Sequence, residues 1–120
     1  MPLTVNVVRR EYGVSIVSPC GEIDTVTAPV LEKEMETVIA GSPRILILDM
    51  SGVDYISSAG LSVLIRARKV MKGGKAELLI VNLRPRVRRV FEIVNALPRE
   101  QIFESTEEMD RYLAAIQREP

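Results

Sequence analysis

Two adjacent serines, Ser57 and Ser58, stand between a stretch rich in branched apolar residues and a glycine, in the run Ile56-Ser57-Ser58-Ala59-Gly60-Leu61. A serine hydroxyl can be a catalytic nucleophile, a hydrogen-bonding cap or an acceptor of a phosphoryl group, and its neighbours decide which. Nucleophilic catalysis needs a base beside the oxygen. The chain has no histidine, so a Ser-His-Asp arrangement is excluded. The Gly-x-Ser-x-Gly elbow is absent, and Lys69 stands far along the sequence from Ser58. Capping and phosphate acceptance ask only for a helix N-terminus. From Leu61 onward, positions 61, 64, 65, 68 and 71 repeat at helical spacing. All are apolar but Arg68, whose stem can lie along apolar surface while its head reaches water. Ser57 and Ser58 therefore open a helix, where unpaired amides and partial positive charge suit either a plain N-cap or a phosphoserine. Gly60, inside the first turn, leaves the backbone open to close approach.

The elements that must hold this loop read outward from it. Ile45-Leu46-Ile47-Leu48 is short and uninterrupted, the pattern of a strand buried on both faces, and Asp49-Met50-Ser51-Gly52 follows it with turn formers. Gly73-Gly74 stops the serine-led helix, and Glu77 to Val81 reads as a second buried strand. A strand, a helix and a strand joined by short turns imply a parallel pair. Upstream, Leu3 to Arg9 alternates as a half-buried strand, Tyr12-Gly13 is a turn, and Val14 to Val17 completes a hairpin. Ser18-Pro19-Cys20-Gly21 is expected to break that strand, with Cys20 a small buried hydrophobe. A helix after Asp24 is signalled by Thr27 as cap, Pro29 in its first turn, and a stripe of Val30, Leu31, Met35, Val38 and Ile39. Gly41-Ser42-Pro43 ends it. Asp24, just before the helix, reads as a capping carboxylate.

Downstream, Arg84-Pro85-Arg86-Val87-Arg88-Arg89 lays arginines over Val87, Val90, Phe91 and Val94 at helical spacing, so the basic run reads as the solvated face of a third helix. Leu97-Pro98 interrupts it, Ile102-Phe103 is a brief edge strand, and Ser105-Thr106-Glu107-Glu108 is a capping box for a last helix with Met109, Tyr112, Leu113 and Ile116 inward. Residues 1–120 thus read as a single α/β domain with a mixed sheet of four or five strands and about four helices.

Composition narrows the function classes. Sixteen basic residues balance sixteen acidic ones, so no long-range field draws the molecule to nucleic acid or membrane. No second basic element or stacking aromatics accompany the arginine run, so no direct nucleic-acid partner is expected. One cysteine excludes an internal disulfide, and no metal-ligand spacing or nucleotide-binding fingerprint is present, so neither metal nor cofactor is expected. No apolar run approaches the ~20 residues of a membrane helix and the N-terminus lacks a signal pattern; the expected location is the cytoplasm.

Three stretches resemble the STAS domains of the bacterial anti-sigma factor antagonists: Gly21-Glu22-Ile23-Asp24-Thr25, the specific run Leu48 to Leu61, and Phe103 to Glu108. The resemblance implies a phosphorylation-controlled binding module and not an enzyme. Its unmodified form would bind an anti-sigma factor that is itself a serine kinase, releasing a sigma factor. Phosphorylation would end that binding, and a metal-dependent serine phosphatase would restore it. Aligning Gly60-Leu61 makes Ser58 the phosphoacceptor. Many antagonists carry aspartate directly before the modified serine; here that position is Ser57, which leaves Ser57 as an alternative acceptor. The resemblance further implies a partner-binding surface of Asp24, Ser57, Ser58, Ala59, Gly60 and Leu61. STAS domains also occur in anion transporters and lipid-transport ATPases, so a stand-alone subunit of such a complex is the alternative.

Overall fold

The computed structural model describes residues 2–94, 102–103 and 105–118. Among these the chain runs β1 (Thr4–Arg10), β2 (Val14–Ile23), α1 (Ala28–Ala40), β3 (Ile45–Asp49), β4 (Gly52–Ile56), α2 (Ser58–Gly73), β5 (Glu77–Val81), α3 (Pro85–Val94), β6 (Ile102–Phe103) and α4 (Thr106–Arg118). The strands form one mixed sheet in the order β1-β2-β3-β5-β6, with β4 also paired to β2. β1 and β2 are antiparallel, and every other pair is parallel. The expected break at Leu97-Pro98 and the side chains of Val94, Met109, Tyr112, Leu113 and Ile116 lie outside the described residues.

β3 and β5 explain why uninterrupted apolar runs become central strands. Successive side chains point to opposite faces. Leu46, Leu48, Leu78 and Ile80 enter one cluster with Leu31, Met35 and Val38 of α1, Leu61, Leu64 and Met71 of α2, and Val87 and Phe91 of α3. Ile45, Ile47, Leu79 and Val81 enter a second cluster on the other face, with Val14 and Phe103. Three helices thus share one face of the sheet.

Three expectations are corrected. β2 does not end at Val17 but continues to Ile23. Pro19 is tolerated because it falls between the stretch paired to β3, which ends at Val17, and the stretch paired to β4, which begins at Cys20, so the ladder on that side asks nothing of it. Cys20 is exposed. It points away from the helix layer, toward a face whose apolar cover thins along β2 from buried Val14 through half-buried Ile16 and Ser18. The sheet also gains β4, over residues to which the sequence assigned no element.

Candidate functional site

β2 and β4 leave the sheet side by side. Ile23 is in register with Ile56, and the ladder extends one bond further, from the amide of Ser57 to the Ile23 carbonyl at 2.8 Å. Ser57 is in extended backbone conformation (φ −89°, ψ 172°) and is the N-cap of α2. Its Oγ accepts the Gly60 amide at 3.2 Å, and its carbonyl accepts the Leu61 amide at 2.9 Å. One of the helix's orphan amides is satisfied this way. The two serines therefore divide their roles. Ser57 holds the cap; Ser58, the first residue of α2, is exposed, and its hydroxyl has no hydrogen-bond partner among the described residues. Its carbonyl accepts the Ser62 hydroxyl at 2.9 Å.

The first turn of α2 sits directly on Ile23. A Cβ built on Gly60 would lie 2.4 Å from Ile23 Cγ2 and 3.0 Å from Ile56 Cγ1. Only a residue without Cβ lets the helix start that close to the ends of β2 and β4. Gly60 and Leu61 are buried, so they shape the loop from beneath, while Ser58 reaches solvent and Ala59 is half-buried.

Asp24 belongs to the neighbouring loop. Its Oδ1 accepts the amides of Val26 and Thr27, each at 2.9 Å, an Asx-turn that reverses the chain into α1. Thr27, expected as the cap through its hydroxyl, makes no side-chain cap bond. That oxygen accepts the Asp24 amide at 2.8 Å and donates to the Glu22 carbonyl at 2.7 Å. The Thr27 amide, foremost among the hydrogen bonds that favour the charged form, holds the Asp24 carboxyl below its ordinary value of 3.8. A depressed folded value means the turn's contribution to stability is complete above the unfolded value and is lost as pH falls through the folded one. In a carbon-detected NMR titration, Asp24 is expected to titrate with a midpoint below 3.8; a midpoint at or above it would mean that the turn does not hold the carboxylate.

α1 and α2 follow parallel strands and lie side by side. Arg66 of α2 donates to Glu32 of α1 and ties the two helices together. Sequence reasoning missed two exposed apolar side chains around the start of α1. Val26 is 82% exposed and Val30, assigned inward, is 45% exposed. The signal was present for Val30: Leu31, Met35 and Val38 repeat as one stripe, and Val30 stands one position out of phase with it, while Val26 lies in the turn before the helix. Among the described residues no group of three potential metal ligands converges, and no described helix is long and apolar enough to cross a membrane.

The family model of the STAS domain matches residues 6–109 of this chain. BtrV of Bordetella bronchiseptica is 38% identical over 73 residues, 61% of this chain and 63% of that protein. The anti-sigma-B factor antagonist of Listeria monocytogenes is 30% identical over 93 residues, covering 78% of this chain and 82% of that one. Among solved structures, an anti-sigma factor antagonist from Mycobacterium paratuberculosis superposes with a TM-score of 0.79 at 32% identity, over 96% of this chain and 94% of its own.

Proposed function

This chain belongs to the STAS domain family, and on that premise we propose that it is an anti-sigma factor antagonist switched by phosphorylation of Ser58. The observation that carries the reading is the division of labour at the start of α2: Ser57 is engaged as the cap, while the Ser58 hydroxyl is exposed and free to be modified without dismantling the turn. In the unmodified state Asp24, Ser57, Ser58 and Ala59 form the surface that meets the anti-sigma factor, supported from below by Gly60 and Leu61. That partner is a serine kinase. It transfers the γ-phosphoryl group of ATP to Ser58 Oγ, ADP leaves, and the hydroxyl proton passes to a base of the kinase. A serine phosphatase reverses the modification. The domain itself contributes binding and no catalysis, and it works in the cytoplasm.

Relatives named as antagonists support this reading over the transporter-subunit alternative, since they are 30% and 32% identical to this chain over most of their own length. Incubation with a cognate anti-sigma factor kinase and ATP is expected to add one phosphate, and Ser58→Ala to abolish it. Full-stoichiometry labelling of Ser57 in the native protein would move the assignment to that residue and contradict the division of roles.

A further inference from the structure

β1 leaves one side of the sheet open. It stands first in the strand order, and among the described residues β2 is its only strand neighbour. Its residues are in unbroken antiparallel register with β2, from Thr4 opposite Cys20 to Arg10 opposite Val14. In such a ladder alternate residues turn their N–H and C=O groups to opposite sides, so the outer side of β1 carries a row of backbone donors and acceptors with no strand to receive them. Sheets guard such edges with short strands, bulges, proline or charge. Elsewhere this sheet does so: β6 has two residues, and the ladder of β4 is interrupted by the extra residue Asp54. Over Thr4-Val5-Asn6-Val7-Val8, β1 has none of these devices, and its charges, Arg9 and Arg10, are confined to one end. One face of the stretch is held by the domain, since Val5 and Val7 pack against the main core. The other face is bare, with Thr4, Asn6 and Val8 exposed.

We infer that β1 pairs antiparallel with β1 of a second copy of this chain, about a two-fold axis at Asn6, joining two sheets into one. The edge itself argues for this occupant. An isologous contact sets a surface against its own copy, so like charges must be kept apart across it. Centred on Asn6, the pairing sets Val5 against Val7, Thr4 against Val8 and Asn6 against Asn6. β-branched side chains then meet on matching faces, a combination that stabilises a ladder. Arg9 and Arg10 fall outside the paired stretch, at opposite ends of the dimer. Moving the axis to Val7 would set Arg9 against Val5, which is packed on the core. The contact is small, about 16 Å of strand on each chain, so the dimer is reversible and forms with rising concentration. This inference stands on strand order and exposure and is independent of the antagonist reading.

The test is sedimentation equilibrium of the full chain from micromolar concentrations to about 1 mM under reducing conditions. The wild type is expected to move from monomer towards dimer across that range. Asn6→Lys sets two lysines opposite each other at the axis and is expected to weaken association about fivefold or more. Asn6→Asp is expected to do the same with the opposite sign, and an equimolar mixture of the two variants to recover the dimer. Because Asn6 is exposed, the melting temperature of dilute samples is expected to stay at the wild-type value in both. Mild oxidation in a Cys20→Ser background reads the register. Asn6→Cys places two cysteines directly opposite, with Cα atoms about 4.5–5.5 Å apart, and is expected to cross-link. Val8→Cys, whose counterpart stands roughly 13 Å along the partner strand, is not. A wild type still monomeric at about 1 mM overturns the pairing, as does wild-type association in both charge variants. Cross-linking of Val8→Cys as readily as Asn6→Cys overturns the axis at Asn6.

Discussion

Gly60→Ala is expected to destabilise the domain by about 1–2 kcal/mol, although alanine is the better helix former. The new Cβ would stand 2.4 Å from Ile23 Cγ2, more than 1 Å inside the roughly 3.5–4.0 Å at which carbons rest. Ile23 is fully buried and paired in the sheet, so it has no room to turn away, and the start of α2 must lift. Overpacking of this kind costs about 1–3 kcal/mol, offset by less than about 1 kcal/mol of helix propensity. Gly73 supplies the control. It lies at the other end of the same helix with nothing within 4 Å of a built Cβ, and Gly73→Ala is expected to stabilise by roughly 0.5 kcal/mol. Urea denaturation of the two variants reads both signs. Equal effects would mean that contact with Ile23 is not what selects glycine at position 60. Because the lifted turn carries Ser58, Gly60→Ala is also expected to slow phosphorylation.

The parts of this fold legible in the sequence are those in which one period governs a whole element. β5 was read to its observed ends, Glu77–Val81, and β3 within one residue, because both faces are buried and every position is apolar or nearly so. The serine-led helix was legible because cap, stripe and terminating glycines agree. β4 was hidden for a physical reason. Val53 is in register with Gly21 and Tyr55 with Glu22, so Asp54 is an extra residue in the ladder, and the alternation that marks a strand is interrupted within five residues. Asp54 and Tyr55 are consecutively exposed as a result. Cys20 was misread because composition says that cysteines are buried, whereas the cover over its face of β2 runs out before it. At the candidate site the sequence distinguished Ser57 from Ser58 only by alignment to the resembling family. The structure distinguishes them by hydrogen bonding. The valines were missed because Val30 fits a loose helical stripe, and only the buried positions fix which of two adjacent phases faces inward.

Ser58→Asp is expected to leave the domain folded while removing most of its affinity for the anti-sigma factor. At the first position of α2 an added negative charge meets unpaired amides and the positive end of the helix, a gain of roughly 0.3–1 kcal/mol. Ser58 borders solvent, which screens an added charge from others on the surface, and the Asp24 carboxylate is turned to the amides of Val26 and Thr27. The net change in stability is therefore small, and the melting temperature is expected to stay within about 4 °C of wild type. Binding is different, because a contact made by a neutral hydroxyl must then accommodate a desolvated charge. A penalty of about 2.7 kcal/mol corresponds to a hundredfold loss, and a phosphoserine, carrying about −1.5 to −2, is expected to lose at least as much. Calorimetry with the cognate kinase and a thermal melt of the same sample measure both quantities. Unfolding of the Ser58→Asp protein, or recovery of transporter components whose binding ignores Ser58, would defeat the switch and favour the transporter-subunit alternative. A stable variant that no longer binds would mean that the start of α2 carries the signal through charge alone, with the fold beneath it unchanged.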